Sequence, residues 1–107
     1  METKKKVALI TGANKGIGFA TSKHLAGLGY FVYLGCRNIA NSSRALTELA
    51  EAGFQDVEVL EIDVTKSSTI KDAATKIKNK FGYLDLLVNN AGILGDMPQQ
   101  ASNNTVE

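Results

Sequence analysis

Apolar residues in this chain fall into two kinds of segment. Short continuous runs occur at Val7-Ala8-Leu9-Ile10, Phe31-Val32-Tyr33-Leu34, Val57 to Ile62 and Leu86-Leu87-Val88. Longer segments between them carry apolar residues three or four positions apart. The runs predict strands over about Lys6–Thr11, Tyr30–Gly35, Val57–Ile62 and Leu84–Asn89. The second run is apolar on both of its faces, as a parallel strand covered on each side would be. The spaced segments predict helices. The first spans Gly16–Leu28, with Ile17, Ala20, Thr21, His24, Leu25 and Leu28 at helical spacing and Gly29 as its stop. The second is capped by Asn41, Ser42 or Ser43, carries Leu46, Leu49 and Ala50, and ends near Gly53. The third follows Thr65 or Ser67, sets Ile70, Ala73, Ala74, Ile77 and Phe81 on one stripe, and ends at Gly82. A β-α-β-α-β-α-β order with right-handed crossovers gives an α/β fold, a parallel sheet with helices on its faces. Residues 93–107 are polar, hold the only proline, Pro98, and read as a loop or the start of a next helix.

A length of 107 residues suffices for one domain and not for two. The net charge of +1 supplies no basic field for nucleic acid or an anionic membrane. Lys4-Lys5-Lys6 reads as a solvated lead-in to the first strand, and only four apolar residues follow it before Thr11 and Gly12. No secretory signal is visible, and nothing approaches the roughly 18 apolar residues of a membrane span. The single cysteine, Cys36, excludes an internal disulfide, so a reducing, cytoplasmic location fits. One histidine and one cysteine do not make a zinc site, and no metal is expected. His24 falls on the apolar stripe of helix one and reads as a core residue.

The chemistry concentrates at Thr11-Gly12-Ala13-Asn14-Lys15-Gly16-Ile17-Gly18, where a strand, a glycine turn and a helix start meet. Such a turn aims backbone N–H groups and the positive end of a helix dipole at one spot, which suits a phosphate. The spacing is G-x-x-x-G-x-G and not the usual G-x-G-x-x-G, so the glycines alone are also compatible with an ordinary strand-to-helix turn. Downstream, Leu86-Leu87-Val88-Asn89-Asn90-Ala91-Gly92 runs a buried strand into a polar turn of small residues. With Asp63-Val64-Thr65 after the third strand, the chain resembles the short-chain dehydrogenase/reductase family, whose members carry T-G-x-x-x-G-I-G and N-N-A-G. The wording TGANKGIGFA is most similar to the carbonyl-reductase-like branch. The resemblance runs from about Val7 to Gly92. It implies the N-terminal portion of a doubly wound Rossmann fold, with four parallel strands in the order 3-2-1-4, three helices and an ordered core over 5–92.

The resemblance implies a nicotinamide dinucleotide on the first turn, with Gly12, Gly16, Ile17 and Gly18 bringing backbone close to the pyrophosphate. Asn14 is open to a cofactor contact or a local cap, and Thr11 reads as steadying the turn. After strand two stands Gly35-Cys36-Arg37-Asn38, without the acid that would take the ribose hydroxyls of NAD. Arg37 offers a fork of donors to a phosphate, and Lys15 a second cation, so NADP(H) is favoured over NAD(H). Both are also compatible with solvated surface charge. By resemblance Asp63 meets the adenine amino group, with Val64 beside it. Asp63 alternatively caps helix three. Asn90, Ala91 and Gly92 line the ribose on the nicotinamide side, tie neighbouring strands, or both. Cys36 reads as inert packing.

The family's chemistry also needs a tyrosine and a lysine four apart. Here Leu34 follows Tyr30, Arg37 follows Tyr33 and Leu87 follows Tyr83 at that distance, so no catalytic residue is assigned. The expectation is the cofactor half of an NADP(H)-dependent oxidoreductase, inactive alone, acting on a small carbonyl or alcohol substrate only in a completed chain. The alternative is a non-catalytic nucleotide-binding or interaction module that associates with full-length relatives. Helices one and two are expected on one face of the sheet and helix three nearly alone on the other. Strand four would then have a bare outer edge, a route to self-association.

Overall fold

A computed structural model describes residues 5–13 and 16–90. Strands β1 (Val7–Thr11), β2 (Phe31–Cys36), β3 (Val57–Glu61) and β4 (Leu86–Val88) alternate with helices α1 (Gly16–Gly27), α2 (Ser43–Glu51) and α3 (Ser67–Lys80). All pairings are parallel, and the sheet order is β3-β2-β1-β4, as the family resemblance implies. The expected loop or helix start over 93–107 lies outside the described residues.

Alternation along each strand builds two cores. Ala8, Ile10, Val32, Leu34 and Cys36 face one way and meet Leu25 of α1 and Ala45 and Leu49 of α2. Val7, Leu9, Phe31, Tyr33, Leu60 and Ile62 face the other way and meet Ala73 and Ile77 of α3. Two helices therefore cover one face and one helix the other, as expected. Burying a leucine or valine side chain fully contributes about 1.5–3 kcal/mol, and both faces draw on it, through Ile10, Val32, Leu34 and Leu49 on one and Val7, Tyr33 and Leu60 on the other. On the α3 face an aromatic series continues it. The ring of Phe31 lies 4.9 Å from that of Phe81, which sits 5.9 Å from Tyr83. Lys80, paired with Glu58 at 3.3 Å, lies over Phe31.

Strand β4 coincides with its apolar run and is shorter than the predicted Leu84–Asn89, its entrance being held by a side chain. The Val7 N–H donates to the Asp85 carboxylate at 2.8 Å, and the Asp85 N–H donates to the Val7 carbonyl at 2.9 Å. The hydroxyl of Tyr83 donates to the Lys5 carbonyl. Sheet pairing then runs only from Ala8–Leu86 to Ile10–Val88.

Helix α1 departs from the predicted stripe. Its buried residues are Gly18, Ser22 and Leu25, while His24 is exposed, Ile17 is 77% exposed and Leu28 62%. The face toward the sheet sets the small residues Gly18 and Ser22 beside Leu25, and Ser22 returns its hydroxyl to the helix, its Oγ donating to the Gly18 carbonyl at 2.8 Å. His24 is thus a surface residue and not core packing.

The predicted caps also differ. A 3₁₀ turn over Ile39–Ser42 precedes α2, and Asn38 caps it by accepting from the Ala40 N–H at 2.9 Å. Ser42 occupies the N-cap position of α2 without a side-chain cap bond, because its hydroxyl donates to the Ile39 carbonyl. Lys66 occupies that position in α3, also without one. The hydroxyl of Thr69 organises this start instead. It accepts from the Asp63 N–H at 2.9 Å and donates at 2.8 Å to the Lys66 carbonyl.

Candidate cofactor site

Every sequence-predicted site residue among those described follows the carboxyl end of a strand. Gly12 follows β1, Arg37 follows β2, Asp63 and Val64 follow β3, and Asn90 follows β4. Parallel pairing brings these four ends to one edge. The chain winds from β1 outward through β2 to β3, then returns past β1 to β4, so the edge includes the switch point at which open α/β sheets receive ligands.

The turn between β1 and α1 has the backbone that its glycines permit. Gly12 has φ +61° and Gly16 φ +63°, conformations that L side chains rarely adopt. Among the described residues a Cβ at Gly16 would meet nothing within 4 Å, whereas one at Gly18 would lie 2.2 Å from the Gly12 carbonyl oxygen. The glycines therefore divide the work. Gly18 lets the helix start press onto the turn, and Gly16 leaves the turn's outer side open. Ile17, between them, exposes most of its side chain there. The first turn of α1 contains no acidic residue that would occupy its free N–H groups or offset its dipole. Asn14 and Lys15 lie outside the described residues.

Two asparagines just past β4, Asn89 and Asn90, fasten this turn. Asn90 Nδ2 donates to the Gly12 carbonyl at 3.2 Å, and the Thr11 hydroxyl lies 3.0 Å from Asn89 Oδ1. Thr11 thus acts across the sheet, from β1 to β4, more than within its own turn. On the other side the Ala13 N–H donates to the Gly35 carbonyl at 3.2 Å, joining the turn to β2. Ala91 and Gly92 lie outside the described residues.

Beyond β2, Arg37 is exposed and makes no hydrogen bond or ion pair among the described residues, so its five donors remain available. Asp63 is buried and its Oδ1 accepts from both the N–H and the hydroxyl of Thr65, at 3.0 and 2.6 Å. These two bonds hold its carboxyl below the ordinary carboxylate range. The nearby charges of Lys66 and Arg37 add to the effect, and burial opposes it. The alternative capping role is met in part, since Asp63 organises the turn into α3 through Thr65. Its Oδ2 has no hydrogen-bond partner among the described residues. Val64 is half-buried against the α3-side core. Cys36 is 1% exposed, and burial pushes its thiol above the ordinary range despite a hydrogen bond with Ser42, as inert packing requires.

Among the described residues no group of His, Cys, Asp and Glu is placed to hold a metal, and no helix is long and apolar enough to cross a membrane. The residue that sequence reasoning missed is Thr69, whose hydroxyl fixes the Asp63 backbone. Its three-residue spacing from Lys66 is an ordinary helix-start pattern and carries no separate signal.

A family model described as short chain dehydrogenase matches residues 6–107. Salutaridine reductase of Papaver somniferum is 42% identical over 94 residues, which cover 87% of this chain and 30% of that protein. (+)-Neomenthol dehydrogenase of Capsicum annuum is 40% identical over 98 residues, covering 89% and 31%. The structure of the Papaver somniferum salutaridine reductase superposes with a TM-score of 0.80 at 37% identity, covering 92% of this chain and 35% of that one. A metagenomic short-chain oxidoreductase in complex with NADP superposes with a TM-score of 0.77 at 36% identity, covering 84% and 40%. The chain spans about a third of the length of these relatives. With the order of its strands, its glycine turn and its asparagine turn, the chain belongs to the short-chain dehydrogenase family.

Proposed function

We propose that this chain is the dinucleotide-holding part of an NADP(H)-dependent oxidoreductase that acts on a carbonyl or alcohol carbon. The observation that carries the reading is the open glycine turn at the same sheet edge as the unpaired Arg37. The backbone at Gly12, Gly16, Ile17 and Gly18 would hold the pyrophosphate, with Asn14 and Lys15 in the same turn. Arg37 and Lys15 would hold the phosphate that distinguishes NADP from NAD. Asp63, ionised and with Oδ2 open, would accept from the adenine amino group while Val64 packs beside it. Asn90, Ala91 and Gly92 would border the nicotinamide-side ribose. When bound, the nicotinamide supplies hydride chemistry. The residues of this chain bind and orient it, and none is assigned a proton-transfer role. Similar proteins have been solved with NADP or NADPH bound, which supports the cofactor class. We further propose a cytoplasmic location, no nucleic-acid partner, and self-association through the outer edge of β4.

Titration of the 107-residue chain with NADPH and NADH, in the native form and as Arg37→Asp, tests this. Charge-assisted hydrogen bonds contribute about 1.5–3 kcal/mol, so NADPH affinity should fall by roughly 10–100-fold while NADH affinity holds. Equal loss for both cofactors, or none for either, removes Arg37 from the reading.

A further inference from the structure

Strand β3 is an edge of the sheet, and its ladder to β2 ends at the Cys36–Glu61 pair. One residue on, the Ile62 N–H still donates to the Cys36 carbonyl at 2.8 Å. Successive N–H groups along an extended chain point to opposite sides, so that of Asp63 points away from β2, where the sheet has no further strand. A backbone donor in such a place needs a partner from elsewhere. The half-buried Thr69, in the first turn of α3, supplies it: its hydroxyl accepts from the Asp63 N–H at 2.9 Å. The same hydroxyl lies 3.1 Å from the Asp63 carbonyl oxygen and 2.8 Å from that of Lys66. The Lys66 N–H donates to the Asp63 carbonyl at 2.8 Å. Both peptide groups of Asp63 are therefore fixed from the α3 side, and not by a strand.

We propose that Thr69 is a positioning residue for recognition of the dinucleotide base, holding the backbone of Asp63 so that the open Oδ2 of its carboxylate selects a base with an amino donor. The inference rests on the cofactor reading and extends it to a residue that acts only through Asp63. Two threonines divide the task. Thr65 occupies Oδ1 with its N–H and its hydroxyl, at 3.0 and 2.6 Å, which sets the rotation of the carboxylate. Those bonds need the tight turn that begins at Asp63, and Thr69 holds the start of that turn. The charges of Lys66 and Arg37 favour the ionised form without fixing any orientation. Orientation is thus left to the two hydroxyls.

An ionised oxygen with a free lone pair takes a donor and rejects an acceptor. Adenine presents an amino group where hypoxanthine presents a carbonyl oxygen. A carboxylate held in place separates the two bases, whereas a loose one swings away from the carbonyl and separates them poorly.

Two measurements on the 107-residue chain test this, in the native form and as Thr69→Val and Thr69→Ser. The valine keeps the branched shape without the hydroxyl, and the serine restores the hydroxyl. Without nucleotide, the Asp63 carboxylate is titrated by NMR. Its pKa should rise toward the ordinary range in Thr69→Val, as the Thr65 bonds loosen, and stay native in Thr69→Ser. With nucleotide, calorimetry compares NADPH with its hypoxanthine analogue. The native chain should favour NADPH by roughly tenfold or more, and Thr69→Val should cut that ratio by about threefold or more, with Thr69→Ser close to native. A purely structural role would weaken both nucleotides alike and leave the ratio unmoved.

An Asp63 pKa that Thr69→Val leaves in place overturns the proposal. So does a base preference that Asp63→Asn abolishes and Thr69→Val leaves intact, and in that case the cofactor reading stands. A native chain that binds both nucleotides alike, or neither, overturns the cofactor reading and the proposal with it. Where Thr69→Val does not fold, Thr69→Ala, better suited to a helix, takes its place. Failure of both to fold makes Thr69 a residue of the fold alone and overturns the proposal.

Discussion

The side-chain amide of Asn90 donates to the carbonyl oxygen of Gly12 across 3.2 Å, so the end of β4 sets the turn that follows β1. A Cβ at Gly18 would fall 2.7 Å from that same Asn90 nitrogen. Three residues from distant parts of the chain thus share one contact. The glycine turn is shaped by its own φ values and also by a clamp supplied more than seventy positions later.

Gly18→Ala breaks this contact, because the new methyl has rigid backbone on one side. Overpacking of this kind costs about 1–3 kcal/mol, which in a domain of this size lowers the melting temperature by roughly 4–8 °C per kcal/mol. Gly16→Ala meets no atom of the described residues, and the strain of its positive φ costs about 1 kcal/mol. Circular dichroism melts of both variants should place Gly18→Ala clearly below Gly16→Ala. The reverse order contradicts the division of work between the two glycines.

Asn90→Leu removes the donor to Gly12 while keeping a side chain of similar size. The orphaned carbonyl costs about 1–3 kcal/mol. Amide hydrogen exchange should quicken at Ala13, whose N–H donates to the Gly35 carbonyl from this turn, before it does in β2. A uniform change across the sheet would mean that Asn90 supports the fold in general and not the turn.

The fold was readable from the chain because its strands are continuous apolar runs and its helices end at glycines with positive φ: Gly29, Gly53 and Gly82. Helix α1 was misread for a physical reason. Leu25 of the predicted stripe does reach the sheet, but the rest of the contact uses Gly18 and Ser22, which carry no apolar signal, while Ile17 and Leu28 carry a strong one and are exposed. The helix packs closely because those residues are small. Ser42, one of the expected caps, stands at the N-cap position of α2 but makes no cap bond, because serine hydroxyls have several nearby carbonyls to choose from and Ser42 takes Ile39, while the N-cap of α3 is Lys66 and not Thr65 or Ser67. At the site, Gly12 and Arg37 were placed by motif and strand order. The division between Gly16 and Gly18, and the open oxygen of Asp63, depend on three-dimensional contacts that spacing does not encode.

Asp63 makes the low-pH behaviour testable. Its two bonds from Thr65 favour the ionised form, so its folded pKa lies below the unfolded value of about 3.9. The folded state then binds fewer protons than the unfolded state as pH falls. The stabilisation is complete above that unfolded value and is lost as pH drops through the folded one. Thr65→Val should therefore melt below the native chain at pH 7, with the gap closing as pH falls through the folded pKa of Asp63. A gap that stays constant from pH 7 to pH 2 would falsify the assignment of these bonds to the carboxylate.

Tyr33 supplies a prediction of the opposite sign. Its side chain is fully buried among Phe31 and Phe81, and its hydroxyl has no hydrogen-bond partner among the described residues. Burial, and secondarily the charge of Glu58, push its phenol above the ordinary range, so it stays neutral at physiological pH. An unpaired buried hydroxyl costs about 1–3 kcal/mol, and Phe keeps the ring that packs there. Tyr33→Phe should therefore raise the urea midpoint or leave it unchanged, with the m-value preserved. A loss above about 1 kcal/mol, the net contribution of an ordinary hydrogen bond, would show that the hydroxyl has a partner in solution.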